Sequence, residues 1–216
     1  MQLKSFGCSF IYGSDLADTN NAWPALLAAQ LGYSFKCHAR PGSGNLQIAE
    51  RVLNQIADSN DSDLFVIGWT WIDRFDYIDV HDNWGETQWS TIMPVDTTPL
   101  AKTYYQTLHS EYRDKLTTLM SIRLVIDTLK QKGIPFIMTC MDDLIFDQRW
   151  HSTPAVTDLQ EYIKPYMTTF DGQTFLDWSR ANNYSISTTL HPLETAHQAA
   201  ADYMIKVFRR QNTIDR

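Results

Sequence analysis

The chain has 216 residues, a formal net charge of −7 and a hydrophobic content of 44%. This length and composition favour one domain with a sizeable core, and the acidic balance disfavours nucleic acid as a partner, because phosphate backbones would be repelled. No stretch approaches the ~20 apolar residues of a membrane-spanning helix, and the amino terminus lacks a basic and apolar signal segment. We therefore expect a soluble, cytoplasmic protein.

Predicted strands and helices alternate along most of the chain, because apolar runs alternate with apolar residues at helical spacing. In chain order they are a strand at 2–8, a helix at 22–31 capped by Asn20 or Asn21, a strand at 34–39, a helix at 46–56, a strand at 63–70, a helix at 109–132, a strand at 134–141, short helices near Leu159 and at 175–181, and a helix at 192–210. This alternation predicts an α/β fold, a three-layer α/β/α sandwich around a flavodoxin-like parallel sheet. Short right-handed crossovers favour the strand order 2-1-3-4, with a fifth strand left open.

The segment after the third strand interrupts this alternation. Its residues alternate in polarity, turn near 82–85 and resume alternation at 87–92 before two prolines. The pattern predicts a β-hairpin followed by an irregular tail. We therefore expect one domain over residues 1–216 that carries an inserted hairpin or lid at about 74–100.

The cysteine count indicates free thiols. Cys8, Cys37 and Cys140 lie in apolar runs, and an odd count without close spacing fits neither a disulfide framework nor a zinc site. We expect three buried thiols of a reducing compartment. Cys8 should face the core if Ser9 faces a cleft, because neighbouring strand residues point in opposite directions.

Ser9 is the candidate nucleophile. It follows the first strand in a glycine-flanked turn, at the sheet edge where α/β proteins place their ligands. A serine hydroxyl reacts at neutral pH only when a base and oxyanion donors lie close to it, and His191 is the candidate base. The structural alternatives are a loop serine that bonds local backbone groups and a histidine at the entry of a helix.

Four short blocks carry a resemblance to a known family. They are Gly7-Cys8-Ser9-Phe10, Gly42-Ser43-Gly44-Asn45, Gly68-Trp69-Thr70-Trp71 and His191-Pro192. In order and rough spacing they resemble the blocks of the SGNH (GDSL-type) hydrolases, and together they span almost the whole chain. The resemblance implies that Ser9 is the nucleophile of an ester hydrolase, His191 its general base, and Ser9, Gly44 and Thr70 the oxyanion donors. No pair of histidines has the i, i+4 spacing with an intervening Glu that a zinc protease uses, so we expect no metal, and we expect no cofactor.

Two positions depart from the family's pattern. Thr70 replaces the third-block asparagine, and Thr188 stands where an acid three residues before the histidine is usual. Threonine still offers one hydroxyl to an oxyanion. The partner of His191 stays open between a backbone carbonyl, which would make a Ser-His dyad, and the carboxylates of Asp15 and Asp142.

Aromatic residues near the third strand suggest where a substrate binds. Trp and Arg side chains suit a sugar ring, an acyl chain or an anionic group. The candidate substrate contacts are Asn45, Trp71, Arg74, Trp84 and Trp89. His197, on the last helix, is predicted to pack or to support the site rather than to bind a ligand.

The leading hypothesis is a serine carboxylic-ester hydrolase: an esterase, a lipase-like enzyme or a carbohydrate O-acyl esterase. Its partner would be a small-molecule ester or an acylated carbohydrate. The alternative is a catalytically degraded domain that binds carbohydrate or a protein. A weaker reading is a flavodoxin-like binder of nucleotide or flavin, for which the sequence offers no fingerprint.

Overall fold

A computed structural model describes residues 1–78 and 89–214, with side chains described up to residue 210. The strands are β1 (Gln2–Phe6), β2 (Ser34–Cys37), β3 (Leu64–Trp69), β4 (Phe75–Ile78), β5 (Trp89–Ile92) and β6 (Phe136–Cys140). The helices are α1 (Ser9–Tyr12), α2 (Trp23–Leu31), α3 (Asn45–Ile56), α4 (Pro99–Thr107), α5 (Glu111–Lys132), α6 (Pro154–Ile163), α7 (Phe175–Ala181) and α8 (Glu194–Ile214).

The main sheet is parallel and has the order β2-β1-β3-β6, which confirms the predicted topology. Each connection between its parallel strands includes a helix, as a parallel crossover requires. The fifth strand is reduced to one parallel bridge between Met138 and Met167. The main sheet therefore has four full strands within the described residues.

The central strand β3 divides the core into two layers. All six of its residues are buried. Leu64 and Val66 pack with α2 and α8, whereas Phe65 and Ile67 point the other way and pack with α3, α5 and α6. Burial on both faces explains why this strand has a continuous apolar run instead of an alternating one.

The predicted hairpin after β3 is present. β4 and β5 pair antiparallel in the register Phe75↔Ile92 to Ile78↔Trp89. Trp84, a predicted substrate contact, lies outside the described residues. The predicted irregular tail is confirmed at 93–98 but ends earlier than expected, because Pro99–Thr107 forms α4, a helix that was not predicted. Thr98 caps this helix by accepting the Ala101 N–H, and Pro99 fits the first turn, where its missing N–H costs nothing.

Two smaller predictions need correction. Cys37 is exposed because β2 is an edge strand, so only Cys8 and Cys140 are buried thiols. Asn20 and Asn21 belong to a 3-10 turn capped by Asp18, and α2 begins only after Ala22. Within the described ranges, no helix is long and apolar enough to cross a membrane.

Candidate active site

Ser9 is the first residue of α1, a single turn at the carboxyl end of β1. It is 7% exposed, and Gly13 ends the turn in the left-handed conformation. The turn lies flat on β3 because two glycines leave room for Ile11. A Cβ at Gly7 would lie 2.6 Å from Ile11 Cγ1, and one at Gly68 would lie 2.7 Å from Ile11 Cδ1. The first and third blocks thus meet through this contact.

Neighbouring Cys8 is fully buried in the core, as predicted. Ser9 lies at a helix start, where backbone N–H groups have no partner within the helix. Its own N–H is therefore suitably placed to serve as a hydrogen-bond donor to an anion.

His191 is bonded to a carboxylate from the other end of the chain. Its Nδ1 lies 2.8 Å from Asp15 Oδ2, and the His191 side chain is 16% exposed. Asp15 follows α1 in a left-handed conformation with φ 70°, which Asp adopts more readily than most residues. A carboxylate therefore lies beside His191 although residue 188 is threonine, and it comes from Asp15.

Two hydroxyl groups also bond this carboxylate. Ser187 Oγ donates to Asp15 Oδ2 at 2.6 Å, and Thr189 Oγ1 donates to the same oxygen. The hydrogen bonds from Ser187, Thr189 and His191 lower the pKa of Asp15 to about 2. Asp15 is thus an anion that can fix the imidazole tautomer with its proton on Nδ1, leaving Nε2 as the basic nitrogen.

The other carboxylate candidate has a different role. Asp142 accepts the backbone N–H groups of Ile72 and Leu144, and burial raises its pKa. It therefore caps the turn after β6. Of the two candidates, only Asp15 lies at hydrogen-bond distance from His191.

The imidazole lies beside the Ser9 turn. The rings of His191 and Phe10, the residue after Ser9, have centroids 4.9 Å apart. Within the described part of the chain, no hydrogen bond joins Ser9 Oγ to His191. Nucleophile-to-base hydrogen bonds are often long in unliganded hydrolases and shorten when substrate binds.

The second block is held by a carboxylate from the inserted hairpin. Asp76 on β4 accepts the Gly44 N–H through Oδ1 at 2.9 Å and the Gln47 N–H through Oδ2 at 2.9 Å. The predicted oxyanion donor of Gly44 is therefore occupied. Nothing in the sequence around Asp76 marks this contact, because it depends on how the hairpin folds back over α3.

Asn45 joins the second block to the third. Its side-chain oxygen accepts the Thr70 N–H at 2.8 Å, and its nitrogen donates to the Thr70 carbonyl at 3.0 Å and to Thr118 Oγ1 at 3.3 Å. Asn45, a predicted substrate contact, is 4% exposed, and its bonds to Thr70 brace the end of β3. The Thr70 hydroxyl is buried and has no partner among the described residues.

The remaining predicted contacts divide into two groups. Trp71 packs edge-on against Phe10 at 5.5 Å between centroids, and the Arg74 guanidinium stacks on the Trp71 ring at 4.9 Å. Arg74 also donates to the Ser43 carbonyl at 3.0 Å, so it joins the Trp71 ring to the second block. Trp89 is partly buried, and its indole N–H finds no partner in the described ranges.

A cavity of about 430 Å³ opens next to Trp71. Its walls combine aromatic rings, histidines and carboxylates, among them Trp71, Trp150, His109, His151 and Asp73. Burial raises the pKa of Asp73. Sequence reasoning missed Trp150 and both histidines, because they come from segments far from any block.

His197 has the supporting role that was expected. It is 1% exposed, and its Nδ1 accepts the Trp23 N–H at 3.0 Å. Burial lowers the pKa of His197 to about 4, against an opposing hydrogen bond to the Pro192 carbonyl. The neutral ring therefore joins the start of α2 to the segment that carries His191.

No protein-family model and no curated protein matches this sequence. Solved structures do match. A lipolytic protein of the G-D-S-L family from Veillonella parvula is 14% identical, with a TM-score of 0.55 over 97% of this chain and 99% of that one. The psychrotrophic esterase EstA from Pseudoalteromonas sp. is 10% identical, with a TM-score of 0.58 over 98% of both chains.

A third structure, the acetyl xylan esterase Est2A from Butyrivibrio proteoclasticus, is 12% identical, with a TM-score of 0.54 over 98% of this chain and 64% of that one. These similarities cover nearly the whole chain, and at such identities they establish a common fold. The protein has the flavodoxin-like α/β fold of the SGNH (GDSL-type) hydrolases.

Proposed function

We propose that this protein is a serine ester hydrolase in which Ser9 is the nucleophile, His191 the general base and Asp15 the group that orients His191. The observation that carries the proposal is the 2.8 Å contact between Asp15 Oδ2 and His191 Nδ1, beside the turn that holds Ser9. A nucleophile, a base and an orienting acid are the three groups that acyl transfer through serine needs.

The proposed reaction has two halves. His191 Nε2 takes the Ser9 proton as Oγ attacks the ester carbonyl, and the imidazolium is stabilised by the Asp15 carboxylate. The tetrahedral intermediate collapses to an acyl-Ser9 ester, and the alcohol leaves with the proton from His191. Water then attacks the acyl group by the same path and regenerates Ser9.

The proposed oxyanion donors are the Ser9 N–H, the Thr70 hydroxyl and the Gly44 N–H. The Thr70 hydroxyl supports this role because it is buried and has no partner among residues 1–78 and 89–210, which is a costly state unless a ligand supplies the acceptor. Losing one oxyanion donor typically costs about 3 kcal/mol of transition-state stabilisation. Thr70→Val should therefore lower kcat by roughly 10²-fold with little change in KM.

For the substrate we propose an ester of a polyhydroxyl compound, such as an acylated carbohydrate. The 430 Å³ cavity is lined by neither Ser9 nor His191, and its link to them is Trp71, which packs on Phe10. It supports this class because Trp71 and Trp150 offer ring faces and Asp73 offers an acceptor for hydroxyl groups. Two of the fold neighbours, EstA and Est2A, are described as an esterase and an acetyl xylan esterase.

The test begins with a short-chain chromogenic ester and acetylated sugars. Wild-type protein should hydrolyse them, and Ser9→Ala should not. A fluorophosphonate should label Ser9 in the wild type but leave the His191→Ala variant largely unlabelled. Ser14→Ala, on the loop just after α1, serves as a control serine. Equal turnover by Ser9→Ala and wild type would refute the assignment of Ser9.

The alternative is a domain that binds carbohydrate or a protein without hydrolysing an ester. The observation that favours it is the Gly44 N–H, which is already bonded to Asp76. If a broad ester panel and the fluorophosphonate both leave Ser9 unchanged, while a glycan array gives a signal that Trp71→Ala abolishes, this alternative holds.

A further inference from the structure

We propose that Asp76 is an internal anion that blocks the Gly44 oxyanion donor, and that ester hydrolysis requires the Asp76 carboxylate to withdraw from Gly44. The paired strands β4 and β5, which carry Asp76 and Thr91, would then control whether the Gly44 N–H is available. This inference rests on the proposed function, because it concerns the same oxyanion site.

The first observation is the set of bonds that Asp76 makes. Its carboxylate accepts two backbone N–H groups at the start of α3, from Gly44 and Gln47, both at 2.9 Å. Thr91, the residue opposite Asp76 on β5, donates its hydroxyl to Oδ1 at 2.6 Å. The hairpin therefore carries both the carboxylate and the group that holds it in place.

The second observation is how closely Asp76 covers Gly44. A Cβ added at Gly44 would lie 2.5 Å from both carboxylate oxygens, so only glycine fits beneath this side chain. Asp76 is 8% exposed, and burial raises its pKa despite three hydrogen bonds. The carboxylate thus lies where water cannot easily screen its charge.

An oxyanion and this carboxylate cannot use the Gly44 N–H together. A single N–H donates well to one acceptor, and a second negative charge nearby in a poorly solvated site opposes the charge that develops on the carbonyl oxygen. A typical oxyanion donor is worth 10²–10³-fold in kcat. We therefore expect kcat to be lower while Asp76 occupies the Gly44 N–H than it would be with that N–H free.

The third observation is an available position for the displaced side chain. A cavity of about 140 Å³ adjoins Asp76, and its lining includes the guanidinium of Arg74 as well as Arg113, which is already bonded to the Asp114 carboxylate in the same lining. Rotation of the carboxylate into this space would exchange two backbone N–H partners for a guanidinium partner. The Asp76 carboxylate therefore has hydrogen-bond donors both at Gly44 and in the cavity, as a switch between two positions requires.

The decisive variant is Asp76→Asn, which keeps the size of the side chain, removes its charge and leaves a neutral amide oxygen, a weaker acceptor for the Gly44 N–H than a carboxylate. We expect kcat on a chromogenic ester to rise at least about tenfold with little change in KM, and the rate of Ser9 phosphonylation to rise in parallel. Thr91→Val, which removes only the hydroxyl that holds Asp76, should move both rates in the same direction by a smaller factor. This second variant keeps the proposal testable if Asp76→Asn folds poorly.

A matched control lies in the same insertion. Asp96 accepts the Met93 N–H at 2.8 Å and, in the part of the chain that the structure describes, makes no hydrogen bond to α3, so Asp96→Asn should leave both rates unchanged. If wild type is active and Asp76→Asn is equally fast or slower while its thermal midpoint falls, Asp76 is only a helix cap and the proposal is overturned. If neither protein turns over ester or reacts with phosphonate, the proposed function fails and this inference fails with it. If wild type is inert and Asp76→Asn is active, both proposals are supported.

Discussion

The buried ring of His197 should make the stability of this protein fall as the pH falls below 6.5. The ring is 1% exposed, its Nδ1 accepts the Trp23 N–H, and burial lowers its pKa from 6.5 to about 4. Protonation would place an N–H against another N–H in a buried site. The folded state therefore resists the proton that the unfolded chain accepts.

The size of the effect follows from linkage. The unfolded histidine binds a proton below pH 6.5 and the folded one only below about 4, so stability is fully present above 6.5 and is lost as the pH falls to about 4. A shift of this size corresponds to about 3 kcal/mol in total, because one pKa unit is worth ~1.4 kcal/mol. About 2 kcal/mol of this should be lost already at pH 5.

The assay is urea unfolding followed by tryptophan fluorescence at several pH values between 7.5 and 4.5. His197→Asn retains an amide oxygen that can accept the Trp23 N–H but cannot titrate in this range. We expect this variant to be less stable at pH 7.5, yet to lose about 2 kcal/mol less than wild type between pH 7.5 and 5. His38, whose pKa burial also lowers to about 4, is present in both proteins, so its contribution cancels.

A suitable control is His151→Asn, because the His151 side chain is 35% exposed and makes no buried bond to backbone. If wild type and His197→Asn lose equal stability over this pH range, the buried neutral histidine is not the cause and the reasoning is wrong.

Three further changes test other contacts. Asp15→Asn should lower kcat by roughly 10⁴-fold, as loss of a triad acid does in serine proteases. The thermal midpoint should change little, because Asp15 is exposed. A fall in kcat of less than tenfold would contradict the orienting role of Asp15. Asn45→Ala should reduce the free energy of unfolding in urea by about 2–4 kcal/mol, because it leaves the buried N–H and carbonyl of Thr70 unpaired. Asn45→Asp keeps an acceptor for the Thr70 N–H and should therefore reduce it by less. Gly68→Ala should lower the free energy of unfolding by about 1–3 kcal/mol and reduce ester activity, because the new methyl group would push Ile11 and the Ser9 turn away from β3. Adding Ile11→Ala should recover part of that activity. Strictly additive losses in the double variant would argue against the contact.

The sheet was predictable because its signals are local. The strand order follows from the alternation of strands and helices together with the rule of right-handed crossovers, and the doubly buried run of β3 identifies the central strand. The helix α4 escaped prediction because nine residues with few apolar positions give a weak periodic signal. The start signal, Thr98 followed by Pro99, was nevertheless present.

The site was only partly predictable, because the missing information is long-range. The sequence left the partner of His191 open between a backbone carbonyl, Asp15 and Asp142, and a choice required the distance between residues 176 positions apart. The role of Asp76 could not be predicted at all. A carboxylate on an alternating strand is usually taken as a solvent-facing residue, and only the fold of the hairpin over α3 turns it inward.

Two carboxylates at the candidate site come from outside the four sequence blocks. The carboxylate beside the histidine comes from the loop after α1, and the group at the Gly44 N–H comes from an insertion. Both contacts are physically reasonable, because the effect of a carboxylate on an imidazole or an N–H depends on its position and charge and not on where it lies along the chain. Thr188 therefore does not argue against catalysis, since Asp15 supplies a carboxylate at 2.8 Å. The stronger argument against rapid catalysis is the Asp76 carboxylate at the Gly44 N–H. The rate of ester hydrolysis by Asp76→Asn therefore distinguishes a protein that cannot hydrolyse esters from an enzyme whose oxyanion donor is blocked.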